Sequence, residues 1–66
     1  MYYYLHGTVT MHLKDAIVVE CNGVGYQVLV SHPYDYDIGA VTRIYTAFYA
    51  REGEPFLFGF PPLAGT

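Results

Sequence analysis

Two aromatic-rich runs separated by a short charged segment constrain this chain more than any other feature. They occupy positions 41–50 (VTRIYTAFYA) and 55–60 (PFLFGF), and the segment between them reads REGE. Because side chains alternate across a strand, both runs are predicted to be β-strands. Gly53 in the short connection predicts a β-hairpin. One face of the first strand then carries Ile44, Thr46, Phe48 and Ala50, the other carries Arg43, Tyr45, Ala47 and Tyr49, and one face of the second strand carries Phe56, Phe58 and Phe60.

The tip of this predicted hairpin holds much of the charge of the chain. Arg51, Glu52 and Glu54 are three of only nine charged residues. The formal net charge is −3, and the basic residues are Lys14, Arg43 and Arg51. Because non-specific affinity for nucleic acid comes from Lys and Arg, this balance argues against phosphate binding by the domain alone.

The composition is too apolar for the small core that 66 residues can form. Hydrophobic residues make up 53% of the chain, and charged residues make up 14%, against about 25% in a typical soluble domain. A chain of this size buries only about 60% of its unfolded surface. The excess predicts a surface that is covered by a second copy or by another domain. The alternative is that the eight tyrosines lie half-exposed as amphipathic side chains.

No set of residues predicts catalysis, a metal site or a cofactor. Cys21 is the single cysteine, and the three histidines are scattered without zinc-binding spacing. No nucleophile–base pair or cofactor loop is recognisable, so we do not expect an enzyme. The N-terminus lacks the pattern of a signal peptide, and no stretch has the length of a membrane helix. We therefore expect a cytoplasmic protein that does not contact membranes.

The first strand is predicted to span Tyr3–Leu13, with one face buried. Gly7 in its interior predicts a bend or bulge. His6 and His12 fall on the polar face, where solvated histidines are expected rather than metal ligands. The buried face is predicted to carry Tyr3, Leu5, Val9, Met11 and Leu13.

A second hairpin is predicted around Asn22-Gly23, a sequence typical of a type I′ turn. Its strands are predicted at 16–21 and 24–30. Cys21 at the strand end is expected to be a small apolar filler, and Gly25 predicts a bulge or a close approach.

The segment 31–40 (SHPYDYDIGA) interrupts the strand pattern. Ser31 is predicted to cap a single helical turn that Pro33 opens, and Gly39 is predicted to end it. Asp35 and Asp37 are interpreted as residues of a solvated loop, since no calcium-binding pattern follows them. We expect a domain over residues 1–60 and the start of a linker at 61–66 (PPLAGT).

Five short antiparallel strands with glycines where the sheet bends predict an all-β fold. The expected architecture is a five-stranded OB-fold barrel with a short helical turn between strands 3 and 4. Closure removes the exposed edges that an open sheet would carry. An SH3-like barrel is the alternative.

Several segments together resemble the N-terminal domain of RuvA, a subunit that recognises Holliday junctions in bacterial branch migration. They are Gly7-Thr8, VVECNGVGYQVLV at 18–30, IYTAFYARE at 44–52 and LFGF at 57–60. The resemblance covers roughly residues 1 to 60. It implies an OB-fold, a homotetramer built largely through this domain, and four-way junction DNA spread on the concave face of the tetramer.

The resemblance also implies a role for the hairpin tip. In that family the tip carries acidic pins that repel phosphates at the centre of the junction, and its pattern is an Arg followed by two adjacent acids. Here Arg51 and Glu52 match, Gly53 stands at the next position, and Glu54 is displaced by one. The DNA-contacting residues implied are therefore Arg51, Glu52 and Glu54.

The family's further domains, a helix-hairpin-helix domain and one that engages the RuvB ATPase, have no counterpart in these 66 residues. We therefore expect a domain of a longer, non-catalytic DNA-binding protein that associates with a RuvB-type ATPase in DNA recombination and repair. Two alternatives remain from the residues alone. One is a generic OB-fold binder of single-stranded nucleic acid that uses exposed aromatic rings, and the other is a purely structural oligomerisation domain.

Overall fold

The chain forms a closed five-stranded barrel in a computed structural model. The structure describes residues 2–51 and 53–60, with the backbone alone at positions 2, 3, 51, 54 and 55. Around the barrel the strands follow the order β1-β2-β3-β5-β4. Neighbours pair antiparallel except β3 and β5, which pair parallel. The strands are β1 (Tyr2–His12), β2 (Ala16–Cys21), β3 (Val24–Leu29), β4 (Val41–Arg51) and β5 (Glu54–Phe60).

This architecture confirms the predicted all-β barrel. A single 3₁₀ turn, Pro33–Asp35, lies between β3 and β4 and is the only helical element in the described residues. The predicted linker at 61–66 lies outside the described residues.

The core is built almost entirely from β-branched side chains that point into the barrel. Such side chains pack well on a pleated surface. Fully burying each of them stabilises the fold by about 1.5–3 kcal/mol. Leu5, Cys21 and Tyr36 pack against the core from its margins, so Cys21 fills space as predicted. The core consists of Val9, Ile17, Val19, Val28, Val30 and Ile44.

The alternation predicted for β1 is wrong after Val9, because the strand contains a β-bulge. The pairing of β1 with β2 skips one position between Val9 and Met11, which makes Thr10 the extra residue. One extra residue moves every later side chain to the opposite face. Met11 is therefore 52% exposed instead of buried. His12 is half-buried and does not share the exposed face of His6.

Gly7 is not the bulge that the sequence predicts, because it pairs in register with Thr42. It lies instead close against the backbone of β2. A Cβ atom at this position would meet the carbonyl oxygen of Glu20 and would lie 2.8 Å from Cys21 Sγ. Only glycine fits there without a shift of the backbone.

The turn between β2 and β3 matches its prediction. Asn22 has φ 51° and Gly23 has φ 82°, as a type I′ turn requires. Cys21 and Val24 pair across it. Gly25 pairs in register with β2, so it forms no bulge.

The connection from β3 to β4 differs in detail from the prediction. The N-cap of the 3₁₀ turn is His32, which makes no side-chain capping bond, rather than Ser31. The turn ends at Asp35, and Gly39 (φ 90°) lies in a separate turn. The Gly39 amide donates to the carbonyl of Val9 at 2.7 Å, which ties the connection to the bulged part of β1.

Tyr36 is partly buried and packs against the core. His12 Nε2 donates to the backbone carbonyl of Tyr36 at 2.5 Å, and the His12 ring meets the Tyr34 ring edge-on at 4.8 Å. Burial, reinforced by the charge of Asp35, raises the pKa of the Tyr36 phenol above its ordinary value of 10.0. The folded state therefore favours the neutral phenol.

Replacing Gly7 with Ala is expected to lower the free energy of unfolding by about 1–3 kcal/mol, because the new methyl group overpacks against the β2 backbone. Urea denaturation measures the change. Gly25→Ala is the matched control, since a Cβ there would lie 3.1 Å from a single Val18 methyl group. Equal losses in the two variants would contradict the close approach at Gly7.

Tyr36 is expected to make the fold sensitive to alkali. The stability that the neutral Tyr36 phenol contributes is fully present below a pH of about 10, the pKa of the phenol in the unfolded chain. It is lost as the pH rises through the higher pKa of the phenol in the folded state. Tyr36→Phe should therefore reduce the steepness of the alkaline loss of stability, measured by denaturation at several pH values. Tyr34→Phe is the control, because Tyr34 is 77% exposed in the same connection. An unchanged slope in Tyr36→Phe would contradict this role.

Candidate functional site

The hairpin of β4 and β5 projects from the barrel. In the described residues β4 pairs with β1 only as far as Ala47, whereas its pairing with β5 continues to Arg51. Beyond Ala47 no described residue of β1 pairs with the hairpin, and Phe48 is 58% exposed and Tyr49 is 51% exposed. Phe48 lies on the same face of β4 as the buried Ile44 and Thr46, as the sequence predicts. In the projecting part of the hairpin, this face is no longer covered by the core.

The tip of the hairpin is a tight turn. Arg51 pairs with Glu54, so positions 52 and 53 alone separate the paired residues. Gly53 has φ 80°, in the left-handed region that glycine occupies without strain. The predicted hairpin is confirmed, and the backbones of Arg51 and Glu54 are brought together. Glu52 and the side chains of Arg51 and Glu54 lie outside the described residues, so the pin role stays a prediction.

An apolar surface covers the outside of the barrel beside this hairpin. A Cβ on Gly59 would lie within 3.0 Å of methyl groups of the core, so the Gly59 face of β5 points inward and the phenylalanine face points outward. Tyr49 packs edge-on against Phe58 with ring centroids 5.2 Å apart. We call this surface the outer apolar face. It lines an open cleft of about 610 Å³ and comprises Leu29, Tyr49, Ala50, Phe56, Phe58 and Phe60.

Part of the excess of apolar residues that the composition predicts is exposed on the outer apolar face. Phe60 remains 44% exposed and Tyr49 51% exposed. Contiguous apolar surface of this kind marks an interaction site. It carries none of the charged residues that the structure describes.

A second exposed cluster lies on the outer surface of β1 and β4. The Arg43 guanidinium carbon lies 4.7 Å from the centre of the Tyr4 ring. The Tyr4 ring meets that of Tyr45 edge-on at 6.3 Å. Sequence reasoning missed this cluster: it places Arg43 and Tyr45 on one face of a strand, but their meeting with Tyr4 depends on the β1–β4 register. Aromatic rings beside a cation suit contact with nucleobases and phosphate.

The described residues contain no group of three or more His, Cys, Asp and Glu side chains that could hold a metal ion. Asp35 and Asp37 are exposed, as expected for a solvated loop. Within the same part of the chain, no helix has the length and apolarity to cross a membrane.

Comparison with known proteins identifies the family. Residues 1–59 match the family model described as the RuvA N terminal domain. A protein from Acholeplasma laidlawii named Holliday junction branch migration complex subunit RuvA is 48% identical over 60 residues, which cover 91% of this chain and 32% of that protein. The protein of the same name from Levilactobacillus brevis is 40% identical over 65 residues, or 97% of this chain and 32% of the relative.

The protein of that name from Limosilactobacillus reuteri is 44% identical over 62 residues. The chain spans about a third of the length of the curated relatives it matches. The match covers every strand of the barrel and the projecting hairpin. This chain belongs to the RuvA N-terminal domain family.

Proposed function

We propose that this chain is the junction-binding and tetramerisation module of a Holliday junction branch migration complex. The observation that carries the proposal is the match to the family over residues 1–59, which includes the projecting hairpin with its charged tip. The barrel holds the base of the hairpin, and the tight turn at Gly53 presents the tip beyond it.

The acidic tip acts by excluding duplex DNA. Carboxylates at Glu52 and Glu54 raise the energy of a duplex whose phosphates run past the tip. A four-way junction can keep its phosphates at the periphery. The acids therefore contribute selectivity for the junction and not affinity. Arg51 offers a charge-assisted contact to a phosphate beside them.

The outer apolar face supports assembly into a homotetramer. The chain has few basic residues, so one copy neutralises few phosphates. Several copies on one junction would multiply weak contacts by raising the effective concentration of each. An oligomer thus supplies the affinity that the single domain lacks.

The role is non-catalytic. Strand exchange needs an energy source, which in this proposal is a RuvB-type ATPase that binds another part of the full complex. The activity belongs to DNA recombination and repair, and the compartment is the cytoplasm.

A second candidate function is single-strand binding, which the cluster of Tyr4, Arg43 and Tyr45 favours. Stacking of bases on exposed rings is tolerant of sequence. The net charge of −3 counts against it. Competition between four-way junction and single-stranded DNA for the chain separates the two functions.

The chain is expected to self-associate through the outer apolar face. Sedimentation or light scattering over a range of concentrations should give a mass above 7.4 kDa. Tyr49→Glu should raise the concentration needed for half-association by at least about tenfold, since an unpaired carboxylate would be buried. Tyr34→Glu, in the exposed connection, is the control and should leave it unchanged. A monomer at every concentration would rule out assembly by this domain alone.

Glu52→Gln is expected to reduce the preference for junction over linear duplex. A carboxylate about 5 Å from a phosphate, at an effective dielectric of about 20, is repelled by roughly 3 kcal/mol before screening. Salt at an exposed tip lowers this to about 1 kcal/mol or less. The ratio of the two dissociation constants should therefore change by up to about fivefold.

The measurement uses gel shifts at fixed salt. The chain is tested in place of the matching segment of the Acholeplasma laidlawii relative. Glu54→Gln tests the displaced acid in the same way. Glu20→Gln is the charge-matched control, because Glu20 is exposed on β2, away from the hairpin. If Glu52→Gln changes the ratio no more than Glu20→Gln does, the tip is an ordinary solvated turn.

A further inference from the structure

β3 and β5 pair over only a short stretch of the barrel wall and separate beyond it. We call the gap between the two strands the split. Their parallel pairing is confined to Val28 with Leu57 and Leu29 with Phe58. The other neighbouring strands pair over longer stretches. The first four residues of β3, from Val24 to Gln27, therefore have β2 as their only paired strand among the described residues.

The register of the β2–β3 hairpin identifies the groups on the free edge. In a hairpin with a two-residue turn, the residues flanking the turn exchange hydrogen bonds, and the next pair does not. Cys21 and Val24 flank the turn. The alternation then points the N–H and C=O of Gly25 and of Gln27 away from β2, toward β5. The parallel pairing of Val28 with Leu57 is made by the Gln27 carbonyl accepting the Leu57 N–H. The groups left on the free edge are therefore the N–H and C=O of Gly25 and the N–H of Gln27. Gly25 and Gln27 are both exposed.

The sequence of β5 explains why the two strands part. Continuing the observed register from Val28 and Leu57 would place Gly25 where its carbonyl needs an N–H from Pro55. Proline has no N–H, so this bond cannot form. The Gly25 edge is therefore left available to a different strand.

Exposed apolar side chains line the split. Val24 and Tyr26 occupy the face of the fully buried Val28, yet they are 51% and 37% exposed, so this end of β3 extends beyond the part of the wall that closes the barrel. A cleft of about 300 Å³ lies alongside, lined by Gln27, Leu29, Phe48, Phe56 and Leu57. Among the described residues, the lining carries no formal charge, and Gln27 is its one polar side chain.

We propose that the split between β3 and β5 accepts an extended strand from a partner protein. The incoming strand pairs with the N–H and C=O of Gly25 and with the N–H of Gln27, and it places apolar side chains in the cleft, which is strand addition to a sheet edge. The free backbone donors and acceptors require a polypeptide in extended form, and the lining requires apolar side chains at alternate positions. The net charge of −3 favours a neutral or basic strand. The proposal does not depend on the binding of junction DNA.

Amide hydrogen exchange tests the edge directly. In the chain alone, the Gly25 amide should exchange at least about tenfold faster than the Tyr26 amide, which is bonded to β2. Adding the blocked peptide Thr-Val-Lys-Val-Thr-Val-Lys at millimolar concentration should slow exchange at Gly25 by at least about tenfold. The same peptide with N-methyl groups on alternate amides keeps its side chains but cannot pair, and it should give no protection.

A pair of variants separates pairing from folding. Gly25→Pro removes the edge N–H but no bond to β2, and it should weaken peptide binding, measured by fluorescence anisotropy, by at least about tenfold. Gly25→Ala adds the same Cβ but keeps the N–H, and it should bind within about twofold of the parent chain. Circular dichroism checks that both variants are folded.

Three results would overturn the proposal. One is a Gly25 amide as protected as that of Tyr26 without peptide. Another is equal protection by the N-methylated peptide, or none by either peptide. The third is protection that rises with the concentration of the chain alone, since a second copy would then occupy the edge.

Discussion

The barrel depends on the short parallel pairing between β3 and β5. Every other seam is antiparallel and joins strands over longer stretches, whereas this short one completes the closure of the barrel. Closure buries the core valines and isoleucines on all sides. Gly59 permits it, because any larger side chain at that position would collide with Val28 and Ile44. In the described residues β5 pairs with β3 only here and continues to the tip paired with β4 alone. The same short contact therefore completes the core and leaves the tip of the hairpin free of β3.

The sequence predicts the elements of this fold well because its local signals agree with one another. The Asn22-Gly23 turn, the alternation in β2 and β3, and the aromatic runs around Gly53 all predict the observed strands. The alternation in β1 fails after Val9, because a bulge depends on pairing with β2 that one strand does not encode. The cap is at His32 instead of Ser31 because Pro33 is the first residue of the turn, and the residue directly before it is the cap.

The candidate site was predictable to a different extent. Charge density marks the hairpin tip, and the resemblance assigns Arg51, Glu52 and Glu54 a role there. Composition predicts an apolar partner surface but not its position, which follows from which face of β5 points outward. The contact between Tyr4 and Arg43 could not be predicted, because it joins strands far apart in sequence. Non-local pairing decides each of these features, and a single sequence carries little direct information on it.

In the proposed function, the tip and the outer apolar face have complementary roles: the tip supplies selectivity for the junction, and the apolar face supplies assembly. A domain with net charge −3 repels DNA at long range, and salt screens that repulsion beyond about 10 Å. Only carboxylates close to phosphates discriminate between DNA forms, so acids are most effective on a projecting tip. The outer apolar face carries no charge in the part of the chain that the structure describes, and it extends from the barrel wall to the base of the hairpin. In the proposed function, association through it would set the spacing of several tips at once, and a fixed spacing would allow a small repulsion at each tip to distinguish a four-way junction from a continuous duplex.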